Sequence, residues 1–327
     1  MRRRQGVRNL KGRQGTLILI LTLTLAAWAL LLRPSHADTS GSSTHVESAV
    51  PKTAFVGGHF EASGVAHVPG TDGVLFVDDG RPDEIFWMKL GQERKQSGAI
   101  QAVRLGASVI DLEGITTDGS YFYVVGSQSK SVGGDLTGLV RFRFDAEGRR
   151  VSNTESVSGL KRFLAENVAE LRGMENRKYK DGGINVEGIA WDARNRRLLL
   201  GLRSPVADGQ ALVVPVRLRD PQGAFSVANL EVEGGKAIRL PLGGAGIRSI
   251  EYDDRAKAFR VITGAGPNSE KLDFRLLEWD GDATSPVLRE VGTFDRKLKP
   301  EGITRVSSGG GDFAFIVFDT SGYTATD

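Results

Sequence analysis

Cysteine is absent from all 327 residues. That removes disulfides, thiolate zinc sites and cysteine nucleophiles, so stability has to come from burial alone. Histidine is nearly as scarce. After the first 37 residues only His45, His59 and His67 remain, none at metal-binding spacing and none set beside a Ser/Asp pair. No Gly-x-Ser-x-Gly elbow occurs either. Any hydrolytic chemistry would therefore have to run through carboxylates and metal-activated water. A dense basic stretch interleaved with aromatics is also missing beyond the N-terminus, which excludes nucleic acid as a partner.

The chain as a whole is basic, with 43 Lys and Arg against 40 Asp and Glu. The excess is confined to one segment. Residues 1–37 hold six Arg, one Lys and no acid, leaving 36 basic against 40 acidic residues and a net charge of −4. Met1-Arg2-Arg3-Arg4 leads into an apolar run from Thr16 to Leu32, then Arg33-Pro34 and the small-x-small end Ser35-His36-Ala37. Those are the three parts of a secretory signal peptide. An uncleaved anchor is the rival, since such a run could just span a bilayer of ~30 Å. The expected organisation is a signal peptide over 1–37, a small and polar linker over 38–53, and one domain over 54–327. The location is then periplasmic or secreted. A membrane partner enters only through the N-terminal segment if it stays uncleaved, and a monomer is expected.

What the chain does have is a repeat. Asn185-Val186-Glu187-Gly188-Ile189-Ala190-Trp191-Asp192 passes through a polar turn into the aliphatic run Leu198-Leu199-Leu200-Gly201-Leu202, a hairpin signal. Asp111-Leu112-Glu113-Gly114-Ile115-Thr116 and Lys299-Pro300-Glu301-Gly302-Ile303-Thr304 repeat it, each before a turn and a second apolar strand. Degenerate copies start at Ser63-Gly64-Val65 and Arg248-Ser249-Ile250. Successive copies lie 50, 74, 61 and 53 residues apart, which suits four-stranded blades of about 40–50 residues with insertions. The fold expected is an all-β propeller of five four-stranded blades, a sixth being open if the longest interval hides one. Radial packing of blades buries faces that one small sheet cannot bury alone.

Between the second and third copies, Leu160, Phe163, Leu164, Val168 and Leu171 share a helical face, predicting an inserted amphipathic helix over 159–172. It is either surface decoration or a lid. Leu139-Val140-Arg141-Phe142-Arg143-Phe144 alternates as a strand with one wet face. The last copy runs out five residues after Gly322, so its blade needs help from the N-terminal end, where Thr53–Phe60 reads as a short strand.

Aligning the copies puts Ser63, Glu113, Glu187, Arg248 and Glu301 at equivalent positions opening the inner strand, a ring around one mouth of the axis. Second-strand exits add Asp78, Asp79, Ser127, Gln128, Arg203, Ser204, Thr263 and Asp319 to the same mouth. Converging carboxylates repel, so one takes a proton, a cation arrives, or arginine neutralises the set. Glu113, Glu187 and Glu301 are candidate ligands for calcium, a hard cation that favours oxygen. The alternative is structural: each glutamate accepts backbone N–H groups of the next blade and locks the ring. The glycine after each glutamate fits tight packing near the axis.

Glu113-Gly114-Ile115 with Val125-Gly126-Ser127-Gln128-Ser129 resembles a signature of the bacterial propeller family known as domain of unknown function 3616. So do Asn185–Ile189 with Gly201–Val206, Gly246–Ile250 with Gly264–Pro267, and Pro300–Ile303. Gln128 stands where that pattern would carry histidine. The resemblance implies a propeller related to the esterase-like domain named from phytase propellers, and no established activity. The reading that follows is an exported propeller binding a small polar or anionic ligand, or a cation, at the mouth through Glu113, Glu187, Arg248, Glu301, Arg203, Gln128, Asp78, Asp79 and Asp319. Its rivals are a calcium-dependent, phytase-like phosphoester hydrolase with Arg203 and Arg248 on phosphate, and a protein-docking scaffold.

Overall fold

Short strands with both faces apolar can be satisfied only between two neighbours, and that is how the chain folds. The computed structural model describes residues 52–129, 136–266, 272–309 and 311–327. The leader over 1–37 and all but the end of the 38–53 linker lie outside them. Among the described residues no helix is long and apolar enough to cross a membrane.

The strands are β1 (Thr53–Ala54), β2 (Ala62–His67), β3 (Gly73–Asp78), β4 (Glu84–Lys89) and β5 (Gln101–Arg104), then β6 (Leu112–Thr117), β7 (Phe122–Gly126), β8 (Thr137–Asp145) and β9 (Arg150–Ser158). After the helix α1 (Leu160–Asn167) come β10 (Asn185–Asp192), β11 (Arg197–Ser204), β12 (Ala211–Leu218), β13 (Leu230–Val232) and β14 (Ile238–Leu240). The chain ends with β15 (Gly246–Asp253), β16 (Ala258–Gly264), β17 (Phe274–Trp279), β18 (Leu288–Phe294), β19 (Pro300–Ser308), β20 (Gly311–Phe318) and β21 (Gly322–Thr326).

They form five antiparallel sheets: β2 to β5, β6 to β9, β10 to β13 with β14 also on β12, β15 to β18, and β19-β20-β21-β1. The described residues form five blades, and in the long interval they add the inserted helix rather than a sixth. In blade three the outermost position is shared by the short β13 and β14, which pair with opposite halves of β12. The run Phe225–Val232 is therefore only partly strand. A 3₁₀ turn occupies Val227–Asn229 before β13 begins. Blade five closes as anticipated, with Thr53 and Ala54 opposite Tyr323 and Gly322. Segments from before the first blade and after the last thus share one sheet, with β1 as its outermost strand.

The core is divided among the gaps between blades. Leu198, Leu200 and Leu202 of β11 pack toward blade two with Tyr123, Val125 and Leu139. Leu199, one residue out of phase, packs toward blade four with Ile250 and Val261. That is why β11 reads as an unbroken aliphatic run: both its faces are buried. Similar clusters join blades one and two, five and one, and four and five.

The insertion is shorter as a helix than its periodicity suggests. At Val168 the backbone becomes extended, and a 3₁₀ turn over Ala169–Leu171 carries the chain on. Every apolar residue of the predicted face is nevertheless buried against blades two and three.

Candidate functional site

The five equivalent positions share a backbone device that periodicity does not reveal. On each inner strand the ladder skips one residue: Ser63 between Ala62 and Gly64, Glu113 between Leu112 and Gly114, Glu187 between Val186 and Gly188, Arg248 between Ile247 and Ser249, and Glu301 between Pro300 and Gly302. Each is the extra residue of a β-bulge, which frees a side chain from the ladder and re-aims it. Arg203 is a bulge residue too, skipped on β11 between Leu202 and Ser204. The glycines that follow admit the next blade. A Cβ on Gly64 would lie 2.8 Å from the Glu113 carbonyl oxygen, and one on Gly114 2.9 Å from Ile189 Cγ2. Ser249 is the exception, and its hydroxyl accepts the Ile303 N–H at 3.3 Å.

Four of the bulged side chains meet in one ion-pair chain across blades three, four and five. Arg248 Nη1 lies 3.0 Å from Glu187 Oε2, and its Nη2 pairs with Glu301 Oε1. Arg203 Nη1 donates to Glu187 Oε1 at 2.8 Å, and its Nε to the Ala265 carbonyl of blade four at 2.9 Å. Glu187, Glu301 and Arg248 are only 3 %, 6 % and 8 % exposed. Guanidinium, not backbone N–H, is thus what Glu187 and Glu301 meet across the blade boundaries. Ser63 plays the neutral version of the same part, donating to the Leu112 carbonyl at 2.6 Å.

Among the described residues Glu113 has no such partner. Burial drives its carboxyl well above the ordinary range, and the nearby Glu187, Asp111 and Asp79 push further; Arg248 offsets only part of this. Asp79, exposed at the rim, is raised to about 6 by desolvation and by Glu61, Asp78, Asp111 and Asp319. These mutual influences mark Glu113, Glu187, Arg248, Asp79 and Asp111 as one electrostatic group. Three more of the residues expected at the mouth are engaged locally. Asp78 accepts the Glu61 and Gly80 N–H groups at 3.1 and 3.0 Å. Asp319 pairs with Lys299 Nζ at 2.7 Å. Gln128 turns inward and donates to the Gly126 carbonyl at 2.9 Å.

Two of the three glutamates read as calcium ligands are therefore held by Arg248. Among the described residues no group of three or more His, Cys, Asp or Glu is placed to hold a metal ion. Glu113 and Asp79 are the carboxylates of the set with neither a guanidinium nor a hydroxyl partner among the described residues, and they are the ones left to take a cation.

Several residues of the site carried no signal in the repeat. Tyr179, from the polar stretch after the helix, lies under the Arg203 guanidinium, 5.1 Å from ring centre to Cζ. Asn185 donates to Glu187 Oε1 at 2.9 Å, while its own Oδ1 is buried without a partner among the described residues. Phe274 sits beneath Arg248. Asp111 accepts from the hydroxyls of Ser127 and Ser129. It also borders a cavity of about 460 Å³ between blade two and α1, walled by Gln128, Leu160, Lys161 and Glu166. The insertion therefore does more than decorate the surface, since Tyr179 reaches the mouth and α1 walls the space beside it.

A family model described as "Protein of unknown function (DUF3616)" matches residues 148–321, from the edge of blade two through blade five. No curated protein matches the chain. Solved structures with a similar fold include the glutaminyl cyclase of Myxococcus xanthus, 13% identical over 85% of this chain and 94% of that one, with a TM-score of 0.43. The PQQ domain of Coprinopsis cinerea pyranose dehydrogenase is 11% identical over 85% of this chain and 98% of that one, with a TM-score of 0.49. The soluble aldose sugar dehydrogenase of Escherichia coli is 11% identical over 84% and 96%, with a TM-score of 0.45. Overlaps this loose at identities this low carry no argument about what this chain does.

Proposed function

This chain belongs to the family described as protein of unknown function (DUF3616), and we propose that it is an exported binding propeller whose axial mouth takes a small polar ligand presenting a positive charge. The observation that carries the reading is the uneven neutralisation of the mouth. Glu187 and Glu301 share Arg248, and Glu187 has Arg203 as well, whereas Glu113 and Asp79 are left to repel their neighbours. A cation arriving there would restore ionisation to Glu113 and recover the free energy lost to that repulsion. An ammonium group suits the place better than a bare divalent ion, because one half-buried carboxylate and one rim carboxylate cannot replace a hydration shell of six to eight oxygens. Calcium is the second candidate, completed by water.

The phytase-like phosphoester hydrolase has the opposite requirement. Arg203 and Arg248 would have to release their carboxylates to grip phosphate, stranding Glu187 and Glu301 buried and unpaired, a heavy cost.

Thermal melting of the purified protein against ethanolammonium and, separately, against calcium tests the proposal, because a ligand that binds only the native state raises the midpoint. The expected result is a rise with ethanolammonium that disappears in Glu113→Gln and shrinks as pH falls through 6 and Asp79 takes up its proton. A rise with calcium alone would make the mouth a metal site. No rise with either up to millimolar concentration, or equal rises in wild type and Glu113→Gln, would overturn the reading. Hydrolysis of a phosphoester panel that Glu187→Gln abolishes would establish the enzyme instead.

A further inference from the structure

The wet face of β8 leads to a second site. Arg141 and Arg143 point away from blade one, into the wedge where blades two and three diverge. The Asp118–Tyr121 and Arg196 turns that flank the wedge lie at the strand ends opposite the bulges, so it opens on the other face of the ring from the mouth. It encloses about 430 Å³, a volume typical of small-molecule pockets.

The inner wall is aromatic. Tyr123 and Trp191, from blades two and three, stack with centroids 6.1 Å apart and planes 2° from parallel, and Phe225 closes the floor. Guanidinium groups form the rim. Arg141 lies over Tyr121 and Phe225 at 5.0 and 4.6 Å, and Arg143 over Tyr121 at 4.7 Å. Arg217 and Arg196 complete it. The acids nearby are already used. Glu155 pairs with Arg141 at 2.7 Å and Glu231 with Arg217 at 3.1 Å. Asp118 accepts the Ser120 and Tyr121 N–H groups and the Tyr123 hydroxyl. Arg143 and Arg196, both exposed, meet no carboxylate among the described residues.

We propose that this cavity binds a small planar anion, an aromatic ring carrying one carboxylate or phosphate. The ring would lie against the Tyr121 and Trp191 faces, and the oxyanion would meet Arg143 and Arg196. Guanidinium forks suit both oxyanions. Arg143 is already held in place by stacking on Tyr121, so little ordering is needed when the ligand arrives.

Isothermal titration with 2-naphthoate and with 2-naphthyl phosphate tests this and separates the two anions, and 2-naphthylmethylammonium serves as the charge-reversed probe. Saturable one-to-one binding of at least one anion is expected, with no binding of the ammonium. The double variant Arg143→Gln/Arg196→Gln should weaken the anion about tenfold or more, since it removes both charge-assisted contacts. Its melting midpoint should stay near that of wild type, because neither side chain is buried. Absence of saturable heat with both anions at millimolar concentration, or equal affinity in wild type and the double variant, would overturn the proposal.

Discussion

Arg248 belongs to blade four, yet its guanidinium is divided between carboxylates of blades three and five. Removing it strands the buried Glu301 and leaves Glu187 with Arg203 alone. Arg248→Met should cost about 3–5 kcal/mol, the usual toll for breaking a buried pair from one side. Adding Glu187→Gln and Glu301→Gln should recover most of that loss, because neither buried acid is then left charged. Urea unfolding of the single and triple variants checks this, and a loss below about 1 kcal/mol, the scale of an exposed ion pair, would mean that the chain of ion pairs is not sealed from water. Alignment of the repeats was enough to bring Glu113, Glu187, Arg248 and Glu301 into one ring, because a blade repeats its backbone. It could not tell which acid would be left out. Pairing depends on rotamers and on which blades adjoin, so only coordinates separate Glu113 from Glu187. Tyr179 was invisible for a different reason: it reaches the mouth from an insertion that no other blade shares.

At the scale of the element, the bulge and the glycine behind it act together. The bulge turns the charged side chain to the mouth, and the glycine lets the next inner strand approach. Gly114→Ala puts a Cβ 2.9 Å from Ile189 Cγ2 and 3.1 Å from the Glu187 carbonyl oxygen. Overpacking of this kind costs about 1–3 kcal/mol. It should also disturb the Glu187 pairings, so the response to a mouth ligand ought to weaken along with the melting midpoint. A variant as stable as wild type would show that the two strands can part freely. The inserted helix illustrates where periodicity stops being informative. Its apolar face was legible through Leu171, yet regular helix ends at Asn167. Val168 and Leu171 keep their burial by means of a 3₁₀ turn, whose threefold spacing places residues i and i+3 on the same side. A hydrophobic pattern at that spacing records which residues face the core, not which kind of turn brings them there.

For the molecule as a whole, the decisive group is one the repeat hides, because its counterparts in the other blades are uncharged. Two residues beyond Ser249, Glu251 occupies the place held by Ala66, Thr116, Ala190 and Thr304. The Thr116 hydroxyl donates to Glu251 Oε2 at 3.2 Å while accepting the Trp191 N–H at 3.2 Å. Thr304 bonds to the same carboxyl and accepts the His67 N–H at 3.1 Å. One side chain thereby joins blades one, two, three and five to its own blade four. Burial raises its pKa to about 8; the Thr116 and Thr304 hydrogen bonds oppose the rise, and Asp253 adds a little to it. Below the ordinary glutamate value of 4.5 the group is protonated in the folded and unfolded chain alike, and its contribution is intact. Between 4.5 and about 8 only the folded chain keeps the proton, so stability falls as pH rises through that window and levels off above it. The loss approaches about 1.4 kcal/mol per pKa step of the shift. Glu251→Gln keeps the neutral shape and cannot ionise. The gap between its unfolding free energy and that of wild type should therefore widen across the window in favour of the variant, from near zero at pH 4 to its full size near pH 9. Urea titrations of both proteins at those two pH values decide the matter: curves that remain parallel would mean that the five blades are not joined through a protonated carboxyl.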